Sequence, residues 1–249
     1  MLHLFVRPSQ SAKQGEPVPS PLAIRAAVQP RRWGMRLPFR CFRLLAYPVF
    51  RIVIRSFAWL RVENEEMLGG VNGPVILAAN HQSDLDTAVL LAALPRSWRY
   101  RVAPTACDAC FASNGPITRV LKHLHYSLFL LFYNGLTLPR GIAPLRQAFR
   151  HMSWLVGKKW SILIYPEGEK ATPEGLLPFE AGVGMIATRL QLPVVPVLID
   201  GTHRIWNRSS RMIRPGPVLV RFGAPLWFQE EDYRAATQQV EQAIHALKA

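Results

Sequence analysis

Between Asn80 and Thr87 the chain reads "NHQSDLDT", which sets one imidazole and two carboxylates within eight residues. A histidine bonded through one ring nitrogen to a carboxylate keeps its other nitrogen as a general base, because the acid fixes the tautomer and steadies the protonated ring. His81 is the candidate base, with Asp86 or Asp84 as its partner. Inside one helix, His81 and Asp86 would stand about 140° apart and their side chains would not meet. "SDLD" removes the difficulty, since a serine followed by acids marks a helix start. His81 then sits in the loop ahead of the helix and can turn back onto its first turn. The spacing alone does not choose between the two acids. No G-x-S-x-G accompanies the pair, and no cysteine lies near it in sequence. The simplest remaining chemistry is direct deprotonation of a substrate hydroxyl. The same base acting on water would make a thioesterase or lipid hydrolase, and a pair that only caps a helix would belong to a non-catalytic membrane-binding module.

Such a loop needs a strand behind it and a helix ahead. "PVILAA" (74–79) precedes it and "AVLLAAL" follows. Beyond Arg61 short β-rich runs alternate with helical ones. "YRVA" (100–103), part of 128–138, "SILIY" (161–165), "VVPVLI" (194–199) and "PVLVRF" (217–222) read as strands. Residues 84–94, 117–125, 144–156 and 181–190 read as helices, and the tail from Tyr233 to Leu247 closes as an amphipathic helix. The pattern predicts an α/β fold, a mostly parallel sheet flanked by helices. In such sheets sites gather past the carboxyl ends of strands, where "NHQSDLDT" stands.

The charge is strongly uneven. Thirty Lys and Arg against sixteen Asp and Glu give +14, and residues 1–61 hold eleven of the basic residues and one acid. A segment of this kind suits an anionic partner. Residues 1–36 read as a flexible basic leader, 37–62 as an amphipathic membrane-interface helix kinked at Pro48, and 63–249 as the catalytic domain. In that helix Arg40, Arg43, Arg51 and Arg55 share about a third of the circumference, and aromatics and aliphatics fill the rest. Its longest uncharged run, Leu44–Phe50, is seven residues, far short of the roughly 20 that a span needs. The expectation is a helix lying in the interface, arginines toward the headgroups of an anionic membrane surface. Arginines interleaved with bulky aliphatics do not suit nucleic acid. A second uncharged run, His123–Pro139, reads as a helix end followed by a buried strand. Cys41, Cys107 and Cys110 make no disulfide framework, and the lone "CDAC" reads as ordinary thiols. With no secretory signal visible, the expected place is the cytoplasmic face of a membrane.

Three further stretches join the first: "TLPRG" puts Arg140 beyond a strand, "ILIYPEGEKA" puts Glu167, Gly168 and Lys170 beyond another, and "LPVVPVLIDGTH" is an apolar strand ending in a polar turn. Together the four blocks resemble the glycerolipid acyltransferases of the glycerol-phosphate and lysophosphatidate type. Asn80, His81 and Asp86 match N-H-x4-D, Arg140 the strand-closing arginine, "YPEGEK" the usual F-P-E-G-T-R, and Val194–Ile199 with Pro196 the apolar strand. The likeness covers roughly residues 70–205. It implies that His81 and Asp86 activate an acceptor hydroxyl, which attacks an acyl thioester of CoA or acyl carrier protein. It implies, too, that Arg140, Glu167, Gly168 and Lys170 bind the lysophospholipid acceptor, with no cofactor or metal. Lys170 replaces the usual arginine, a point charge in place of a fork, and Glu169 adds an acid where threonine is common.

Overall fold

The alternating runs become strands of one sheet. The structure is a computed structural model that describes residues 37–107, 133, 135–138, 142–168, 176–206, 212–229 and 232–248. The leader 1–36, the helix expected at 117–125, Cys110, Arg140 and Lys170 lie outside those residues.

Helix α1 (Leu37–Phe57) leads into β1 (Ala58–Glu63); then come β2 (Ile76–Ala79), α2 (Asp86–Ala93), β3 (Val102–Cys107) and β4 (Leu136–Leu138). After them follow α3 (Ile142–Gly157), β5 (Ser161–Ile164), α4 (Gly182–Leu190), β6 (Val194–Asp200), β7 (Gly216–Phe222) and α5 (Tyr233–Ala246). The strand order is β1-β7-β6-β2-β5-β3-β4. All neighbours are parallel except β6 and β7. β2 therefore lies between β5 and β6, and all three send their carboxyl ends the same way.

Both faces of these strands are covered, which is why they read as continuous apolar runs. Leu77 and Ala79 of β2 and Val195, Val197 and Ile199 of β6 pack with α2 and with Tyr47 and Ile54 of α1. Ile76, Ala78, Val194 and Leu198 point the other way, onto Met152 of α3, Val183 and Ile186 of α4, and Val240 and Ile244 of α5. Each fully buried Val, Leu, Ile or Met among them is worth about 1.5–3 kcal/mol. The Tyr47 hydroxyl donates to the Leu91 carbonyl at 2.5 Å, tying α1 to α2.

Two details of the N-terminal segment differ from expectation. The helix stops at Phe57, and 58–62 belong to a strand, because "AWLRVE" alternates inward and outward residues and finds β7 as a parallel partner. Helix α1 continues through Pro48 as one element. Pro48 stands on the exposed side, where the carbonyl it leaves without a donor is not sealed in the core. The four arginines do not all face outward: Arg43 is buried, its guanidinium 5.8 Å from the centre of the Trp160 ring, whereas Arg51 is half-buried, Arg55 is exposed and the Arg40 side chain lies outside the described residues. The outward face carries bare aliphatics, with Leu45 77%, Ile52 70% and Val49 61% exposed, flanked by Phe42 and Val53, and Arg55 is exposed beside them. Among the described residues no helix is long and apolar enough to cross a membrane.

Candidate active site

The site is built from three adjacent strand ends. β2 stops at Ala79, and Asn80 prolongs its pairing by side chain: the amide nitrogen donates to the Ile199 carbonyl at 2.8 Å, and the amide oxygen accepts from the Ile199 N–H at 2.7 Å. That closure releases the chain at His81. Ser83 then starts the turn toward α2. Its Oγ accepts from the Leu85 N–H, and the Asp86 carboxylate reaches back to the Ser83 N–H at 2.8 Å, so the two side chains tie the turn ahead of the helix. Regular helix begins at Asp86.

His81 Nδ1 lies 2.8 Å from Asp86 Oδ2. A carboxylate can only accept here, so Nδ1 carries a proton, and in the neutral ring Nε2 keeps its lone pair. Of the two acids open in the sequence, the structure puts Asp86 on the ring; Asp84 is exposed. Oδ2 accepts also from the Gln82 N–H at 2.6 Å, and Oδ1 accepts from the Thr202 hydroxyl at 2.5 Å. Asp86 is fully buried, whereas the His81 side chain keeps 19% of its surface. One acid is sealed and one base is reachable.

Tyr165, just past β5, stacks on the His81 ring with centroids 4.3 Å apart and planes 24° apart. Its hydroxyl hydrogen-bonds Thr87 at 2.8 Å, and burial pushes the phenol well above its ordinary pKa. Sequence reading missed Tyr165 and Thr202 as parts of the site, although "YPEG" and "DGTH" flagged both loops.

Glu167 follows β5 and is held by backbone of two segments. It is only 4% exposed, Oε1 accepting from the His81 N–H at 2.8 Å and Oε2 from the Leu177 N–H at 2.9 Å. Both oxygens hold backbone, so the carboxylate braces the His81 loop from the β5 side. Burial pushes its pKa up, against the pull of those two amides. Gly168 likewise serves the turn: its φ is +69°, and a Cβ there would meet the Glu180 carboxylate at 3.2 Å. Arg140, beyond the end of β4, and Lys170 lie outside the described residues. Among the described residues no cluster of three or more His, Cys, Asp or Glu could hold a metal ion.

Comparison with known proteins shows the family and the fold. The family model described as Acyltransferase matches residues 59–200. A 1-acyl-sn-glycerol-3-phosphate acyltransferase of Cocos nucifera is 37% identical over 93 residues, 37% of this chain and 30% of that protein. The human 1-acyl-sn-glycerol-3-phosphate acyltransferase beta is 27% identical over 148 residues, 59% of this chain and 49% of that protein. The chain thus spans less than half the length of each of these two relatives. The crystal structure of the 1-acyl-sn-glycerophosphate acyltransferase from Thermotoga maritima shares the fold, with TM-score 0.58 at 22% identity over 85% of this chain and 79% of that one.

Proposed function

Since the chain belongs to the acyltransferase family, we propose that it moves a fatty acyl group from an acyl thioester to the hydroxyl of lysophosphatidate, or a related lysophospholipid, at a membrane surface. The observation that carries this reading is the 2.8 Å bond from His81 Nδ1 to Asp86 Oδ2, which leaves Nε2 as the acceptor of a ring that is 19% exposed. The names of the relatives support the acceptor class.

In the reaction, Nε2 takes the proton of the acceptor hydroxyl as its oxygen attacks the thioester carbonyl. The tetrahedral intermediate collapses by breaking the C–S bond, and the imidazolium returns its proton to the departing thiolate. A thiol of pKa about 8.5 leaves readily, so the step needs a base more than a strong acid. Asp86 holds the ring in the required tautomer, and Tyr165 covers one of its faces. Arg140 and Lys170 supply the acceptor phosphate with a bidentate fork and a point charge, as the resemblance implies. The donor is CoA or acyl carrier protein, both acidic and suited to a chain of charge +14.

The outer face of α1 supports the membrane half of the reading. Leu45, Val49 and Ile52 can sink into the acyl boundary while Arg55 stays at headgroup level. Each basic residue near an anionic leaflet adds about 1 kcal/mol, which favours the cytoplasmic face.

The test is acceptor dependence. Purified protein is given palmitoyl-CoA with lysophosphatidate, with monoacylglycerol, or with neither, while free thiol and acylated lipid are both measured. Thiol release that appears with lysophosphatidate and matches diacylated product one for one is expected. Equal release without any lipid acceptor would make the protein a thioesterase.

A further inference from the structure

Asp86 is fully buried, and its two oxygens are held from different directions. Oδ2 takes three hydrogen bonds, all from its own loop: His81 Nδ1, the Gln82 N–H and the Ser83 N–H. Among the described residues Oδ1 takes one, from the hydroxyl of Thr202 at the end of β6, 116 residues away in sequence. Donors crowded on one oxygen leave a carboxylate able to pivot about its Cβ–Cγ bond; a donor on the second oxygen stops the pivot. We propose that Thr202 is a positioning residue of the acyl-transfer site, holding Oδ1 from the β6 side so that Oδ2 stays in line with His81 Nδ1. The proposal rests on the reading of His81 and Asp86 as base and orienter.

Several features suit Thr202 to this task. It is fully buried, so water cannot stand in for its hydroxyl, and its loss would leave Oδ1 without a partner. The turn that aims it depends on Gly201, whose φ is +96° and where a Cβ would come within 2.4 Å of the Pro217 carbonyl oxygen. Threonine's β-branch narrows the rotamer choice and keeps the hydroxyl pointed. Two more bonds fasten the same pair of loops: Ser83 Oγ donates to the Trp206 carbonyl at 2.6 Å, and His203 Nδ1 meets Gln82 Oε1 at 3.1 Å. These can hold the loops together without Thr202, which separates its effect on the dyad from an effect on folding.

The experiment compares Thr202→Val, Thr202→Ser and the parent chain for kcat and KM toward lysophosphatidate with palmitoyl-CoA, alongside thermal unfolding. Valine keeps the shape and removes the donor. It is expected to lower kcat by about 10- to 100-fold, the range for losing a hydrogen bond to a charged group, with both KM values within about threefold. Serine restores the donor with a looser rotamer and is expected to recover most of kcat. If the valine protein does not fold, Thr202→Ala replaces it, to be read against serine in the same way. A folded valine or alanine variant with parental kcat would overturn the proposal, as would a serine variant as slow as the donor-free one. Asp86→Asn, measured in parallel, keeps the two ideas apart: full activity there sinks the dyad itself, whereas an inactive Asp86→Asn beside an unimpaired Thr202→Val sinks only the role of Thr202.

Discussion

The His81 loop and helix α1 solve opposite problems. The loop is polar and over-determined: Asn80, Asp86, Glu167 and Thr202 each spend their hydrogen bonds inside the protein, on backbone or on one another. Helix α1 is apolar on two sides, and the described residues cover only one of them. Tyr47 and Ile54 are sealed in the core, while Leu45, Val49 and Ile52 face outward. An interior that satisfies every polar group fixes a reacting atom; a surface that leaves aliphatics bare invites a lipid phase. Chemistry and membrane contact should therefore separate under mutation.

The largest effect belongs to the site. Asp86→Asn keeps the shape but sets an amide against the ring, and turnover is expected to fall about 10³- to 10⁴-fold, as for other disrupted His–carboxylate pairs, while flotation with anionic vesicles stays unchanged. The reverse separation comes from α1. Leu45→Asp with Ile52→Asp removes two bare aliphatics worth about 1.5–3 kcal/mol each on burial, so vesicle partition should drop about 100-fold or more, with thiol release on detergent-dispersed lysophosphatidate within about twofold. Equal loss of both readouts in either variant would break the comparison.

Glu167 sharpens it from the structural side. Glu167→Gln retains one acceptor for two backbone donors and should cost about 1–3 kcal/mol of stability, measured by denaturant unfolding. Its pH dependence has a definite sign. Burial raises the folded carboxyl's pKa, so the folded state binds the proton more tightly than the unfolded chain does. The stabilisation is full below the ordinary carboxyl pKa and is lost as pH rises through the raised one. The glutamine variant should lack that slope. Tyr165→Phe is the mildest change: the ring still stacks on His81, only the Thr87 bond goes, and about 1 kcal/mol of stability with turnover within about threefold is the expected outcome.

Much of this was legible before any coordinates. Asn80, His81 and Asp86 declared themselves because a strand end, a loop and a capped helix start leave local marks, and the apolar runs at 74–79, 161–165 and 194–199 became the central strands. What stayed hidden was long-range. Ala58–Glu63 reads as the end of a helix until β7 offers it an edge. Glu167 was visible as an acid past a strand, but the direction of its carboxylate depends on β5 lying beside β2. Thr202 depends on β6 lying on the other side. Such pairings between distant segments leave no periodicity to read.

The central claim is that His81 removes the proton from the lipid hydroxyl. It is tested most directly by comparing the parent chain with His81→Ala on vesicles of lysophosphatidate and anionic phospholipid, following diacylated product at matched amounts of bound protein. Equal binding with at least about 10³-fold slower product formation is the predicted result. Parental product formation by a folded, vesicle-bound His81→Ala protein would contradict the account.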